Sequence, residues 1–223
     1  MPLAVVTGAT SPIGQAIALS LAQRGFDVLL HGFTRQAELQ FDLSDPLGQE
    51  AFCESVKARV SSIDVLVHNA SSYHETTLRT LTREEWRATM ALNAEAPVFI
   101  TKALLPLLEA AQNPCVINVT DAMTERVRPK HFAYAASKAL LEHVTYALAV
   151  ELGPHIRVNG VAPGIVAHSP DIVYDPQGHL VAKIPLRRPA AADEIAKAVT
   201  YLACDAAYAT GEILVVDGGR RLV

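Results

Sequence analysis

"VVTGATSPIGQAIALSLAQRG", Val5 to Gly25, is the stretch on which the fold turns. Three β-branched residues, Val5, Val6 and Thr7, run into Gly8, Gly14 follows six positions later, and Ile13, Ile17 and Leu21 then recur at helical spacing. The order is strand, glycine turn, helix. Gly8 can take a positive φ where the chain leaves the strand, and Gly14, lacking a Cβ, lets the helix lie close to the sheet. Amides at the helix N-terminus, together with the macrodipole, make a site suited to an anion such as a pyrophosphate. Pro12 suits the first helical turn, where its missing N–H would have had no partner, although it removes a donor. On its own the stretch reads equally well as an ordinary tight βα turn.

Outward from this turn, short β-branched runs alternate with longer Ala/Leu-rich patterns. Strands are expected at Leu3–Thr7, Asp27–His31, Glu38–Phe41, Ile63–His68, Cys115–Thr120, Ile156–Val161 and Ile213–Val216, and helices at 13–24, 46–59, 82–108, 132–152 and 192–204. Runs such as "VLVHN" and "CVINVT" are apolar on successive residues, as strands covered by helices on both faces must be. The expected fold class is α/β, one doubly wound parallel sheet of about seven strands, in a single domain over residues 1–223. Only "GFTRQA" separates the second and third strands. Six extended residues span about 20 Å, so the crossover is feasible but should lack its usual helix.

Composition narrows the function classes. The 223 residues are 50% hydrophobic with a net charge of −4; a chain of this size buries about three quarters of its unfolded surface. Mild acidity argues against a nucleic-acid partner. Cys53, Cys115 and Cys204 are scattered without CxxC spacing, which points to reduced thiols in a cytoplasmic protein, and the eight histidines form no metal-ligand pattern. "MPLAVVTGAT" has no basic n-region, so no signal peptide is expected, and no membrane span is expected either.

The strongest chemical signal is "YAASKALLEH". Tyr134 and Lys138 stand four apart on one helix face. An ammonium beside a phenol favours the phenolate and tunes the tyrosine to exchange a proton near neutrality. With "TGATSPIG", "HNAS", "ALNAEAP" and "RVNGVAPG", this pair resembles the short-chain dehydrogenase/reductase family over nearly the whole chain, with Pro12 at the middle glycine of its T-G-x-x-x-G-x-G pattern. The resemblance implies a Rossmann-type fold and a nicotinamide cofactor. It assigns Gly8, Thr10, Ser11, Ile13 and Gly14 to the phosphate turn, Asp42 to the adenine, and Asn69 and Ala70 to the segment that steadies the central sheet. Pro163 and Gly164 would turn the chain at the nicotinamide, and Asn93 would support a water near Lys138. Asp42 reads equally as a cap for the helix beginning near Pro46. After the second strand no acid awaits a ribose 2′-OH, whereas His31 and Arg35 are near. That favours a 2′-phosphate, hence NADPH, against the competing reading of Arg35 as a solvated loop cation.

One departure from the family pattern is informative. Thirteen residues before its tyrosine the family has a serine that hydrogen-bonds a carbonyl oxygen; here that position is Asp121. An ionised carboxylate would repel a developing alkoxide, whereas an acid that supplies or relays a proton suits a C=N bond. The competing reading is that Asp121 merely caps the following segment. Aspartate with tyrosine and lysine retained is similar to the pteridine reductases, and "FAYAASKALLEH", "HNAS" and "DGGRRLV" resemble the dihydromonapterin reductases. That resemblance implies that Ser71 bonds a pterin and Tyr73 stacks on it, where otherwise Tyr73 is a loop aromatic packed on its own helix. The pteridine reductases commonly carry an arginine in the glycine turn that holds Pro12, reaching both cofactor phosphate and pterin.

The expected activity is therefore NADPH-dependent reduction of a dihydropterin, with Asp121, Tyr134, Lys138 and Asn93 as the catalytic group. The alternatives are a carbonyl reductase acting on 3-oxoacyl thioesters and a non-catalytic NADP-sensing regulator. Resemblance further implies a homotetramer. The span "AHSPDIVYDPQGHLVAKIPLRRP" reads as a substrate loop carrying Tyr174 and His179.

Overall fold

The computed structural model describes residues 1–33, 37–124, 126, 128, 130–167 and 178–223. Its strands are β1 (Leu3–Val6), β2 (Asp27–Gly32), β3 (Leu39–Gln40), β4 (Val65–His68), β5 (Cys115–Val119), β6 (Arg157–Pro163) and β7 (Ile213–Val216). They form one seven-stranded sheet in the order β3-β2-β1-β4-β5-β6-β7, with every neighbouring pair parallel. The order reverses between β1 and β4. The C-terminal ends of those strands diverge into a crevice there, which is where open parallel sheets bind ligands.

The helices are α1 (Pro12–Gln23), α2 (Pro46–Lys57), α3 (Arg83–Met90), α4 (Ala96–Glu109), α5 (Phe132–Leu152) and α6 (Ala192–Cys204). Strand side chains alternate between faces, and both faces are apolar. Ala4, Val6, Val65, Val67 and Ile117 pack with Ile17 and Leu21 of α1 and with Ile195 and Val199 of α6. Leu3, Val5, Leu66, Val116 and Val158 pack on the other side with Phe52, Ile100, Leu104 and Leu108. This explains the unbroken apolar runs of the central strands.

Two expectations about local structure are corrected. The third strand is only Leu39–Gln40, because it pairs with just His31 and Gly32 of β2; in keeping with the short crossover, the described residues between the two strands, Phe33, Ala37 and Glu38, form bends. The helix expected over 82–108 is two helices joined by a π-helical turn, Ala91–Glu95. Pro97 has no N–H and so cannot make the α-helical bond to the carbonyl of Asn93, four residues back, and the π turn absorbs the mismatch. By length and composition the run Arg83–Glu109 would pass for a membrane span, but 44% of its most apolar stretch is buried in the protein. Ile100, Leu104 and Leu108 are fully covered, as in the core helix of a sheet face.

Candidate active site

The phosphate turn is built as the sequence suggests. Gly8 has φ 64°, and a Cβ on it would lie 2.7 Å from Ala70 Cα; one on Gly14 would lie 2.2 Å from the Gly8 carbonyl oxygen. Ser11 caps α1: its Oγ accepts from the Gly14 amide (3.1 Å) and donates to the Gly8 carbonyl (2.9 Å). Pro12 takes the first helical turn. Asn69 ties β4 to this turn, its Nδ2 donating to the carbonyls of Thr7 (3.0 Å) and Gly8 (2.9 Å). Thr7 Oγ1 accepts from the amides of Asn69 (3.0 Å) and Ala70 (3.1 Å). The amide of Ile13 finds no protein acceptor among the described residues. Ile13 lines the cavity at this turn, where a pyrophosphate oxygen could take that amide.

A cavity of ≈ 670 Å³ runs from this turn along the strand ends. Gly8, Thr10, Ser11, Pro12, Ile13, His31, Asp42, Asn69, Ala70, Ser71, Tyr73, Asp121, Tyr134, Lys138, Pro163 and Gly164 all line it. Of the described residues expected at the site, Gly14, Asn93 and His179 do not line it. Arg35 and Tyr174 lie outside the described residues, so the expected contact of Arg35 with a 2′-phosphate has no geometry here. The sequence reading missed Phe33, Phe41, Leu43 and Ser44, which line the cavity's far end beside Asp42. Two phenylalanines, a leucine and a serine at these positions carried no motif to mark them. Among the described residues, no group of three or more His, Cys, Asp or Glu is placed to hold a metal ion.

His31 is corrected. It is 2% exposed; its Nδ1 accepts from the Gly8 amide (3.3 Å) and its Nε2 donates to the Phe41 carbonyl (3.0 Å). Burial lowers its pKa. Both nitrogens are engaged, so the ring pins the glycine turn to the end of β3 and supplies no cation for a phosphate. Asp42 does not cap α2 either. Asp45 does, accepting from Leu47 N (3.4 Å), while Asp42 Oδ1 accepts from the amide and hydroxyl of Ser44 (2.9 and 2.6 Å).

At the opposite end, α5 brings Tyr134 and Lys138 to the strand ends. Lys138 is 3% exposed and donates to the Val119 carbonyl (2.7 Å); burial pushes its pKa down to about 8, against the raising effect of Asp121. Tyr134 donates to Asp121 Oδ2 (2.9 Å). Its pKa is raised well above the ordinary phenol value, first by burial, then by the charge of Asp121 and the bond to it, with Arg128 pulling the other way. In this structure burial and the Asp121 carboxylate outweigh the expected phenolate-favouring effect of Lys138. The ammonium stands 5.8 Å from the centre of the Tyr134 ring, and the hydroxyl faces a carboxylate. Tyr134 is a phenol with a proton to give.

Asp121 does cap locally, accepting from Met123 N (2.7 Å), but it also accepts from Arg128 Nη1 at 3.3 Å (Oδ1) and 3.1 Å (Oδ2). Arg128 Nη2 donates to the Tyr73 hydroxyl (2.7 Å). The Tyr73 ring is stacked on His131 (4.6 Å, 18°) and edge-on to Tyr134 (4.7 Å, 88°). One face of Tyr73 is thus covered by an imidazole. Ser71 is exposed at the cavity's lip. Arg128 and His131 were missed from sequence. Three residues before Tyr134, His131 was findable by helical spacing, whereas Arg128 sits in a loop with no periodicity to mark it.

Asn93, expected to support a water, spends its side chain on protein. Its Oδ1 accepts from Ser72 N (2.8 Å), and its Nδ2 donates to Ser72 O (3.0 Å) and Ser137 Oγ (3.0 Å). It fastens the 69–76 segment to α5.

Comparison with known proteins agrees with this geometry. Residues 8–221 match the family model described as Enoyl-(Acyl carrier protein) reductase. The chain is 31% identical to the 3-oxoacyl-(acyl-carrier-protein) reductase of Escherichia coli, covering 99% of this chain and 98% of that one. It is 33% identical to a 3alpha-hydroxysteroid dehydrogenase of Mediterraneibacter gnavus, covering 98% and 96%. The ligand-free aldohexose dehydrogenase of Thermoplasma acidophilum shares the fold with a TM-score of 0.91 at 24% identity, over 100% of this chain and 94% of that one. A strand-ordered parallel sheet with a glycine turn at its switch point and a Tyr–Lys pair on the facing helix defines an oxidoreductase class. The chain belongs to the short-chain dehydrogenase/reductase family. None of these relatives is a pteridine reductase, and their names favour carbonyl substrates over pterins.

Proposed function

We propose that the protein reduces the C=N bond of a dihydropterin-like heterocycle with NADPH. The observation that carries the reading is Asp121, which stands where a carbonyl reductase needs a neutral donor and which accepts a 2.9 Å hydrogen bond from the Tyr134 hydroxyl. Bound NADPH would supply the hydride to C6. The turn at Gly8, Ser11 and Ile13 would hold its pyrophosphate, and Pro163 and Gly164 would flank the nicotinamide. Tyr134 and Asp121 would manage the proton that goes to N5, so that one hydride and one proton complete the tetrahydro product. Lys138, buried behind the tyrosine, would lend positive charge as the phenol gives up its proton. Ser71 would bond the heterocycle at the lip and Tyr73 would stack on it, worth about 0.5–1.5 kcal/mol beyond area burial.

A second reading, reduction of a 3-oxoacyl thioester, has the better support from the comparisons. One structural observation favours it as well: Arg128 pairs with Asp121 at 3.1 Å, which offsets the charge that would repel an alkoxide. The test is loss of NADPH absorbance with a dihydropterin, with acetoacetyl thioester and NADH in parallel. Turnover of the thioester alone would overturn the pterin reading.

A further inference from the structure

The sequence holds no arginine in the glycine turn, yet an arginine reaches the reacting end from the loop after β5. Arg128 and Asp121 are mostly buried, with side chains 18% and 15% exposed. The guanidinium forks: Nη1 bonds Asp121 (3.1 and 3.3 Å) and Nη2 bonds the Tyr73 hydroxyl (2.7 Å). Its central carbon lies 5.7 Å from the Tyr73 ring centre and 5.8 Å from that of Tyr134. From Tyr73 the contacts continue to His131 Nε2 (3.2 Å), while His131 Nδ1 faces the His74 carbonyl (3.4 Å). A carbonyl only accepts, so in that tautomer Nδ1 carries the proton and Nε2 takes the Tyr73 hydroxyl hydrogen. Arginine stays protonated, so the chain from His131 to Tyr134 is interrupted for proton relay at Arg128. The fork holds; it does not conduct.

We propose that Arg128 is a positioning residue: its guanidinium sets the Asp121 carboxylate against the Tyr134 hydroxyl and fixes the Tyr73 ring beside the same tyrosine. One side chain then aligns the proton donor and the ring on which a flat substrate stacks. A lysine could keep the charge but not both bonds, since its ammonium lacks the planar fork. This inference rests on the reading that Tyr134 gives its proton to the substrate.

The test uses Arg128→Met and Arg128→Lys in the full chain, with NADPH binding by fluorescence as the folding control. Kinetics are run on whichever of a dihydropterin and acetoacetyl thioester the wild type reduces. Arg128→Met should leave NADPH affinity unchanged, lower kcat by about 10- to 100-fold, a fraction of the roughly 10²–10⁴ that positioned proton transfer contributes, and raise substrate KM. Arg128→Lys should recover part of kcat and little of KM. In an Asp121→Asn background the Arg128→Met effect on kcat should largely vanish, because the partner through which it acts is gone. Wild-type kcat and KM in Arg128→Met, or additive effects in the double variant, would overturn the proposal. A wild type that reduces neither substrate would sink the functional reading, and the fork is then judged by guanidinium nitrogen NMR. Slow Nη exchange at Arg128, lost in Asp121→Asn and in Tyr73→Phe, would sustain the fork; fast exchange in the wild type would overturn it.

Discussion

Replacing Asp121 by serine separates the two chemistries the site could perform. In the structure Asp121 takes four hydrogen bonds: from Met123 N, from Arg128 Nη1 at each oxygen, and from the Tyr134 hydroxyl. Serine can replace the first but not the ion pair. Losing a hydrogen-bonded charge from a mostly buried guanidinium costs about 1.5–3 kcal/mol, which for a chain of this size lowers Tm by roughly 3–12 °C. Removing the carboxylate also lifts the charge and the bond that raise the Tyr134 pKa, leaving the phenol a stronger acid aimed at the cavity. If Asp121 manages the pterin proton, kcat for a dihydropterin should fall about 10²–10⁴-fold, equivalent to roughly 3–5.5 kcal/mol of barrier. Reduction of acetoacetyl thioester should rise, since a hydroxyl can donate to a carbonyl oxygen. Steady-state kinetics on both substrates, with a thermal melt and NADPH affinity by fluorescence as the folding control, read all three effects. Equal dihydropterin kcat in wild type and Asp121→Ser would remove Asp121 from the chemistry.

Three further outcomes are expected. His68 is fully buried against Thr101 Oγ1 (2.9 Å), and burial pushes its pKa down to about 3. The unfolded chain, with a histidine near 6.5, binds that proton first, so stability is lost as pH falls below 6.5, by about 2 kcal/mol between pH 7 and 5. His68→Gln should flatten that part of the slope in urea titrations at the two pH values; an unchanged slope would contradict it. Gly14→Ala drives a Cβ to within 2.2 Å of the Gly8 carbonyl oxygen, so overpacking of about 1–3 kcal/mol should lower Tm and abolish the stabilisation by NADPH, and a wild-type melt would refute the close approach. Tyr73→Ala should raise KM for a flat heterocycle by about 2- to 13-fold, the equivalent of the stacking energy; the same KM in both proteins would place Tyr73 outside the substrate site.

The central sheet was legible because strands such as β1, β5 and β6 are apolar on successive residues and so on both faces. The expected β7 matches the observed Ile213–Val216, and α5 and α6 match at both ends. The break in the long helix was misread, although Pro97 stood in plain view. Its effect falls four residues upstream, at Asn93, where nothing in local propensity marks it. Tyr134, Lys138, Asp121 and the glycine turn were readable because their spacing is local. What the sequence hid is what the fold assembles across distance. His31 reads as a cation near a phosphate until burial and the Gly8 amide make it a neutral staple. Arg128 reads as one of several loop charges until the chain folds it between Asp121 and Tyr73.

The most direct measurement is NADPH oxidation, followed by loss of its absorbance, by the wild-type protein with a 7,8-dihydropterin and, separately, with acetoacetyl thioester. Faster turnover of the dihydropterin is the expected result and would tie Asp121 to C=N reduction. Turnover of the thioester with none of the dihydropterin would contradict it and make the Asp121–Arg128 pair a neutral wall of a carbonyl reductase.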